Sequence, residues 1–178
     1  MKIKNKELTE EILAGKIFIY PTDTIYGLGC NAEDETAVER IKEIKGRDKD
    51  KPISIIAPNI KWIEENFIID VKISSYLPGP YTLILKKKNP NFLNWVSSSE
   101  SIGIRIPANK FTKEIQKAKV PFVTTSVNLS RESFALKIED IKPEIKNKVD
   151  YIIEAEDEKE LSGKPSTLII NGKPMERK

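Results

Sequence analysis

A polar loop follows the first apolar run of the chain, and its side chains are the first that suit ligand binding. Residues 20–29 read YPTDTIYGLG, so hydroxyl and carboxyl groups stand directly after the buried-strand pattern KIFIY of residues 16–20. Ligands of α/β sheets are usually held at strand ends, where a rigid support presents short side chains and backbone donors. Gly27 and Gly29 permit either a tight turn or a close approach of the backbone to a ligand.

A basic loop is the second candidate segment. Residues 45–52 read KGRDKDKP and include the cations Lys45, Arg47 and Lys51. Several cations on one loop suit a polyanion such as the triphosphate of a nucleotide. The chain has no G-x-x-x-x-G-K-[ST] loop and no G-x-G-x-x-G after a strand, so both common phosphate-binding motifs are missing. A lone charge run is more often a solvated turn, and that interpretation stays open.

Three further polar clusters stand at predicted strand ends. They are SIGIRIP at residues 101–107, TTSVNLS at 124–130 and GKPST at 163–167. Each taken alone is an ordinary turn sequence, since serine, asparagine, glycine and proline all favour turns. Most of the arginines, which suit phosphate or carboxylate better than lysine does, lie beside such loop or strand-end signals.

The composition excludes several classes of catalyst. The 178 residues include no histidine and a single cysteine, Cys30. Serine–histidine and cysteine–histidine nucleophiles, imidazole metal ligands, an internal disulfide and a cysteine-cluster metal site are therefore excluded. The net charge of +3 is what a well-solvated surface often shows. Chemistry on this chain must depend on positioning, on hydroxyl groups and on the charge of lysine and arginine, and a metal ion held by carboxylates or by substrate phosphate stays open as a further contributor.

Helical and strand patterns alternate along the chain, which predicts an α/β sheet covered by helices on at least one face. The predicted helices lie at residues 8–13 (ended by Gly15), 34–46 (capped by Asp34), around Trp62, at 111–118 and at 138–145. The predicted strands are KIFIY, ISIIA, YTLILKK, IGIRI, FVTTSV, DYIIE and STLIIN. With 39% hydrophobic residues and no linker or repeat, residues 1–178 are expected to form a single domain.

The expected location is the cytoplasm. No apolar run approaches the length needed to cross a bilayer, and the first residues, MKIKNKELTE, lack the apolar stretch of a signal peptide. No membrane partner is therefore expected.

Taken in order along the chain, the polar clusters resemble the motifs of the YrdC-type domain, the L-threonylcarbamoyladenylate synthase family. The motifs are YPTDTIYGLG, KGRDKDKP, LPGPYTLIL, IGIRIP, TTSVNLS and GKPSTLII, and the resemblance covers about residues 8–172. It implies a YrdC-like twisted open mixed sheet with flanking helices and a basic concave face. It also implies a reaction in which L-threonine, bicarbonate or CO₂, and ATP give threonylcarbamoyl-AMP and pyrophosphate. A Mg²⁺ ion would travel with the ATP, and a threonylcarbamoyl-transferring complex would pass the product to adenosine 37 of tRNA.

The resemblance also assigns roles to residues of this chain. The L-threonine site would comprise Thr24, Tyr26, Arg105, Ser126 and Ser166, with Asp23 shaping the pocket. The catalytic cations that hold the phosphates would be Lys45, Arg47 and Lys51. The ATP subsite would comprise Arg47, Lys51, Ser101, Asn128 and Arg177. No metal ion held by protein ligands is implied.

Three departures from the family pattern bear on these roles. The serine loop of the family usually reads S-A-N-x-S-G, whereas this chain has Val127 and Arg131 at the small positions. The basic loop has Asp48 where proline is common. The match of Arg177 to the late ATP-contacting arginine of the family stays open.

The missing imidazole and thiol motifs predict a mechanism without a covalent enzyme intermediate. A carbamate oxygen, formed from L-threonine and bicarbonate, would attack the α-phosphorus of ATP directly. Orientation of the reactants and cations matched to the developing negative charge would lower the barrier.

Two other functions stay open. A basic concave face would also serve a non-catalytic protein that binds tRNA or double-stranded RNA, because phosphate contacts alone do not separate the two. The sequence lacks an aromatic-rich strand motif of the RNA-reading kind, which counts against that alternative. Carbamoyl-adenylate chemistry, as in the related domain of hydrogenase-maturation proteins, ordinarily belongs to a much longer polypeptide.

Overall fold

The computed structural model describes residues 5–46, 51–129, 133–156 and 161–175, with side chains from Leu8 onward. The helices are α1 (Asn5–Leu13), α2 (Glu35–Ile44), α3 (Ile60–Asn66), α4 (Lys110–Ala118) and α5 (Pro143–Lys146). The strands are β1 (Phe18–Tyr20), β2 (Gly27–Gly29), β3 (Ser54–Ile56), β4 (Phe67–Ile68), β5 (Tyr81–Lys87), β6 (Ser101–Arg105), β7 (Phe122–Ser126), β8 (Tyr151–Ile152), β9 (Thr167–Ile170) and β10 (Lys173–Met175). In the part of the chain that the structure describes, no helix is long and apolar enough to cross a membrane.

The strands form one mixed sheet. Within the described ranges its order is β10-β9-β5-β6-β3-β7-β2-β1-β8, and β4 pairs with β5 at the side. β3 runs parallel to β6 and β1 runs parallel to β8, whereas β7 is antiparallel to both β3 and β2. The predicted α/β class, with an open mixed sheet and flanking helices, is confirmed.

The ends of the helices follow the capping signals of the sequence. Asp34 caps α2 by accepting a hydrogen bond from the backbone N–H of Ala37, as predicted. Asn109 caps α4 in the same way through Thr112. Gly15 follows α1 in the left-handed conformation at φ +70°, where glycine is favoured because it has no Cβ.

Several features differ from the prediction, including the short strands β4 and β10, which no predicted strand covers. The helix expected at residues 138–145 is reduced to the single turn of α5, because Pro143 begins that turn and disfavours a helical conformation at Lys142. The glycine-rich end of the polar loop forms β2, which pairs with both β1 and β7. Glycine is depleted in strands, so local propensity does not predict β2.

The two faces of the sheet bury separate cores. On one face, α2 packs Val38 and Ile41 against strand residues that include Ile19 and Leu28. On the other, which we call the site face, residues of α1 and α4 cover an aromatic cluster formed by Phe18, Tyr20, Phe111 and Phe122. Because side chains alternate along a strand, the same face also carries Ser54, Thr82, Arg105, Thr124 and Ser126. The site face is therefore apolar under the helices, and beyond them it carries these polar side chains together with the half-buried Ile84 and Leu168.

The close approach of β2 to β7 depends on Gly29. A Cβ at this position would lie 1.9 Å from the backbone oxygen of Val123 and 2.7 Å from the Phe122 ring. Since the nearest atom is backbone, relief requires the strands to move apart. We expect Gly29→Ala to lower the free energy of unfolding by about 3 kcal/mol, as overpacked core positions do.

Gly172→Ala is the control for this prediction. Gly172 has φ +72°, and its added Cβ would meet only Val71 at an ordinary 3.7 Å. The control should lose about 1 kcal/mol from backbone strain alone. Urea unfolding of both variants measures the difference, and equal losses would show that the contact with Val123 is not limiting.

Candidate functional site

Neighbouring segments hold the polar loop on both of its sides. The side-chain amide of Asn109 donates a hydrogen bond to the carbonyl of Pro21. From the other side, the backbone N–H groups of residues 162–163 donate to the carbonyls of Asp23 and Thr24, at 3.2 and 2.9 Å. The loop is thus fixed against α4 and against the GKPST segment before its side chains reach the site.

Arg105, the last residue of β6, forms a buried ion pair with Asp23. Its Nη2 donates to Oδ1 of Asp23 at 2.7 Å, and the two side chains are only 7% and 12% exposed. Both terminal nitrogens also donate to the hydroxyl of Thr24, at 3.3 and 3.2 Å. The second oxygen of Asp23 accepts the backbone N–H of Ala108 at 3.1 Å. The structure therefore brings together Thr24 and Arg105, two residues predicted for one site.

The guanidinium of Arg105 keeps one donor unused. Its Nε is buried and has no hydrogen-bond partner in the described part of the chain. Burial lowers the pKa of Arg105 and the Asp23 carboxylate opposes that shift, and the guanidinium stays charged as arginine does in proteins. A buried unpaired donor costs about 1–3 kcal/mol, which an incoming carboxylate would relieve.

Thr22 orients the hydroxyl of Thr24, a role that the sequence analysis missed. The Thr22 hydroxyl donates its proton to the carbonyl of Ile25 at 2.7 Å. The 2.8 Å contact between the two threonine hydroxyls must then be donated by Thr24. The lone pairs of Thr24 are left for Arg105. The available signal was the spacing Thr-x-Thr in a loop, since such hydroxyls readily bond to backbone two or three residues on.

The ammonium of Lys45 holds the serine loop, residues 126–129. Lys45 is 4% exposed, and its Nζ donates to the carbonyls of Ser126 and Asn128 at 2.5 and 2.8 Å. It also donates to the side-chain oxygen of Asn128 at 3.1 Å. The Ser126 hydroxyl donates to the same oxygen at 2.5 Å. Lys45, Ser126 and Asn128, all predicted for the site, thus form one hydrogen-bonded unit. In this unit the ammonium of Lys45, the first residue of the basic loop, binds the carbonyls of the serine loop.

A cleft begins at the serine loop. It has a volume of about 670 Å³ and its lining includes Asn128, Phe134 and Lys142. The amide of Asn128, predicted as an ATP ligand, therefore lies at the edge of an open space.

Tyr26 and Ser166 are both buried. The Tyr26 hydroxyl accepts the backbone N–H of Ala155 at 3.0 Å, and its ring packs in the core of the α2 face. Ser166 lies on the site face, where its hydroxyl is 2.7 Å from that of Thr82. Ser166 therefore lies on the site face beside Thr82, which is level with Arg105. Tyr26 instead joins the polar loop to the segment after β8.

Ser101 and Lys51 lie at the far end of the site face. Ser101 begins β6 and Arg105 ends it, so about 13 Å of strand separates them. The parallel register of β3 and β6 places residue 52 level with Ser101, and Lys51 is exposed beside it. The two predicted ATP ligands therefore stand apart from the predicted threonine ligand Arg105, at the opposite end of one strand.

Other predicted residues lie outside the described residues or away from the site. Arg47 and Arg177 fall outside the described ranges, and so does Arg131. Cys30 is buried, and burial raises the pKa of its thiol far above the ordinary value, so it is no nucleophile. No group of three or more carboxylate or cysteine side chains that could hold a metal ion occurs among the described residues.

A family model and a curated relative match most of the chain. The Sua5_yciO_yrdC model, described as "Telomere recombination", matches residues 10–175. A protein of Methanocaldococcus jannaschii named "Putative threonylcarbamoyl-AMP synthase" is 41% identical over 91% of this chain and 77% of its own length.

Two solved structures share the fold. The P. abyssi Sua5 complexed with L-threonine superposes with a TM-score of 0.78 at 26% identity, over 96% of this chain. The chain covers 52% of that protein, about half its length. MTH1692 from Methanobacterium thermoautotrophicum superposes with a TM-score of 0.73 at 34% identity, over 100% of this chain and 90% of its own. The chain thus shares its fold with a protein of similar length and with one about twice as long.

Removing the Asp23 carboxylate tests the buried ion pair. Asp23→Asn leaves the charge of Arg105 buried without its counter-ion, so we expect the free energy of unfolding to fall by about 3 kcal/mol. The control is Glu65→Gln, which breaks the exposed Lys61–Glu65 pair on α3 and should cost less than about 0.5 kcal/mol. Urea unfolding at neutral pH measures both variants. Similar small losses would mean that Arg105 does not need Asp23.

Proposed function

The chain belongs to the Sua5/YciO/YrdC family, and from that membership we propose that it is a threonylcarbamoyl-AMP synthase. It would form threonylcarbamoyl-AMP and pyrophosphate from L-threonine, bicarbonate and ATP. The observation that carries the proposal is the 41% identity over 91% of the chain with the Methanocaldococcus jannaschii relative. The buried guanidinium with an unpaired donor agrees with an amino-acid substrate.

Arg105 would bind the carboxylate of L-threonine. Its Nε–H is free of partners among the described residues, and Asp23 fixes the plane of the guanidinium through Nη2. Because Nε is buried, a carboxylate would reach its N–H only if the side chains above it moved aside, while Asp23 could keep its contact with Nη2. A charge-assisted hydrogen bond at a buried site is among the stronger polar contacts in proteins. Thr24 and Ser166 would lie beside the rest of the amino acid, and Ser126, level with residue 52 in the register of β3 and β7, would approach it from the ATP end.

Lys51, with Arg47, would hold the phosphates of ATP. Lys51 is exposed three residues before the start of β3. Lys45 would act indirectly and would not contact the phosphates, because its ammonium already donates hydrogen bonds to carbonyls of the serine loop. In that position it sets where Asn128 meets the nucleotide. Ser101 lies at the same end of the sheet as Lys51, and Arg177 would complete the subsite.

A Mg²⁺ ion would enter with the phosphates of ATP. The described residues offer no cluster of carboxylates that could hold a metal ion by themselves. In this proposal the ion would belong to the substrate, and the residues of the chain would bind and orient what surrounds it.

The reaction then needs no nucleophilic side chain from the protein. It needs oriented reactants and fixed positive charge. The amine of L-threonine and bicarbonate give a carbamate, one carbamate oxygen bonds to the α-phosphorus, and pyrophosphate leaves. Residues at the Arg105 end would hold the carbamate, and residues at the Lys51 end would hold the phosphates. Positioned reactants and preorganised donors are the main sources of such rate enhancement. We further propose that the product passes to tRNA through a threonylcarbamoyl-transferring complex.

The direct test is formation of adenylate without RNA. Protein, L-threonine, labelled bicarbonate and Mg-ATP should yield a labelled adenylate and pyrophosphate, and L-valine should be at least tenfold poorer. A site built to hydrogen-bond a hydroxyl leaves its polar groups unpaired when that hydroxyl is missing. If no adenylate forms and the protein binds tRNA tightly, the chain is an RNA-binding protein. A product that does not depend on threonine would indicate carbamoyl-adenylate chemistry.

Substitutions in the basic loop test the phosphate contacts. Lys51→Ala and Arg47→Ala should each lower pyrophosphate release by on the order of 10²-fold, as loss of a single electrostatic stabiliser does. The melting temperature of Lys51→Ala should hardly change, because Lys51 is exposed and surface substitutions rarely matter for stability. Lys61→Ala, which removes an exposed lysine of α3, is the control. Full activity of both loop variants would make KGRDKDKP a solvated turn.

A further inference from the structure

Ser54 lies in the middle of the site face. It is the first residue of β3, half-buried, and pairs across the sheet with Thr124 of β7. The register of β3 with β6 also places it level with Gly103. A Cβ built on Gly103 would lie 2.4 Å from the Ser54 hydroxyl oxygen. The missing side chain of Gly103 is therefore what gives the Ser54 hydroxyl room on this face.

The Ser54 hydroxyl has no hydrogen-bond partner in the described part of the chain. Its polar neighbours on the site face do have partners, since Ser166 meets Thr82 at 2.7 Å and Ser126 donates to Asn128 at 2.5 Å. A half-buried donor without a partner loses stability unless water or a ligand meets it. Ser54 is only half-buried, so its O–H remains available to water or to a ligand on the site face.

Thr124 presents a second donor beside it. The hydroxyl of Tyr20 donates to the Thr124 hydroxyl at 2.7 Å. Burial raises the pKa of Tyr20 far above its ordinary value, so Tyr20 remains a donor. The proton of Thr124 is then free, and no acceptor for it occurs among the described residues. Facing residues of neighbouring strands bring their Cβ atoms to about 4.5–5.5 Å. The Ser54 hydroxyl leans toward Gly103, away from the buried Thr124, so a small anion between them would meet the two O–H groups with different oxygens.

The pair stands between the two ends of the proposed site. Gly103, level with Ser54, is two residues from Arg105 and two from Ser101, about 6.6 Å along β6 in each direction. In N-carboxythreonine the carbamate carbon is three bonds from the carboxylate carbon. A carboxylate on Arg105 therefore places the carbamate toward Ser54, on the side from which ATP would come.

We propose that the hydroxyls of Ser54 and Thr124 form the subsite for bicarbonate and for the carbamate made from it. This inference rests on the proposed function. The amine nitrogen of L-threonine bonds to the bicarbonate carbon, the carbon–hydroxyl bond breaks, and the hydroxide leaves as water with a proton from the amine. Ser54 and Thr124 donate to the two carboxylate oxygens throughout and lose no proton.

The test is the dependence of adenylate formation on bicarbonate. Ser54→Ala should raise the KM for bicarbonate about tenfold, because a hydrogen bond to a charged group is lost. The dissociation constant of L-threonine, measured by calorimetry without bicarbonate, should stay within about twofold, because the Arg105 contact is intact. Ser74→Ala, at an exposed serine away from the site face, is the control and should change neither value.

A second variant keeps the test decisive if Ser54→Ala folds poorly. Gly103→Ala retains the Ser54 hydroxyl but occupies its position, and should raise the bicarbonate KM in the same way. An unchanged bicarbonate KM in both variants, with an active wild type, overturns the subsite and leaves the synthase proposal standing. An equal rise in the L-threonine dissociation constant also overturns it. A wild type that forms no adenylate overturns the synthase proposal and this subsite with it.

Discussion

The buried ion pair between Arg105 and Asp23 is the constraint on which the site depends. A charged guanidinium that is only 7% exposed is costly unless a counter-charge and hydrogen bonds accompany it. Asp23 supplies that counter-charge only if the polar loop crosses the site face to reach the end of β6. The loop then brings Thr22 and Thr24 with it. One electrostatic requirement thus positions a segment that has little regular structure of its own.

The division of the site face follows from the same constraint. Helices α1 and α4 cover the aromatic half of that face, and the polar loop, held to α4 by Asn109, marks where the cover ends. Beyond it the strands carry hydroxyl side chains and Gly103. If every strand residue on this uncovered part of the face were bulky and apolar, the face would expose apolar surface and offer a ligand no hydrogen-bond donors. One face of the sheet can therefore form part of the core where helices cover it and a binding surface where they do not.

The sequence predicts the elements well and the site less completely. Alternating apolar residues and the Asp34 cap were sufficient for most helices and strands, because local propensity and burial agree there. β2 was not predicted because its glycine at position 29 reflects the close approach of β2 to Val123 of β7. This is a tertiary contact, which leaves no signal in the local sequence. The charge run of the basic loop predicted cations for a ligand, but it gave no sign that Lys45 is buried under the serine loop. Ser54 passed unnoticed as one hydroxyl in an apolar strand.

The site offers many donors and few acceptors for a proton. Both oxygens of Asp23 already accept hydrogen bonds, one from Arg105 and the other from the N–H of Ala108. The chain has no histidine, and the Thr24 hydroxyl is already engaged as donor and acceptor. A reaction here must bring its own acceptor for the amine proton. Carbamate formation does so, because the hydroxide that leaves bicarbonate takes that proton as water, and the protein has only to stabilise oxygen anions with fixed donors.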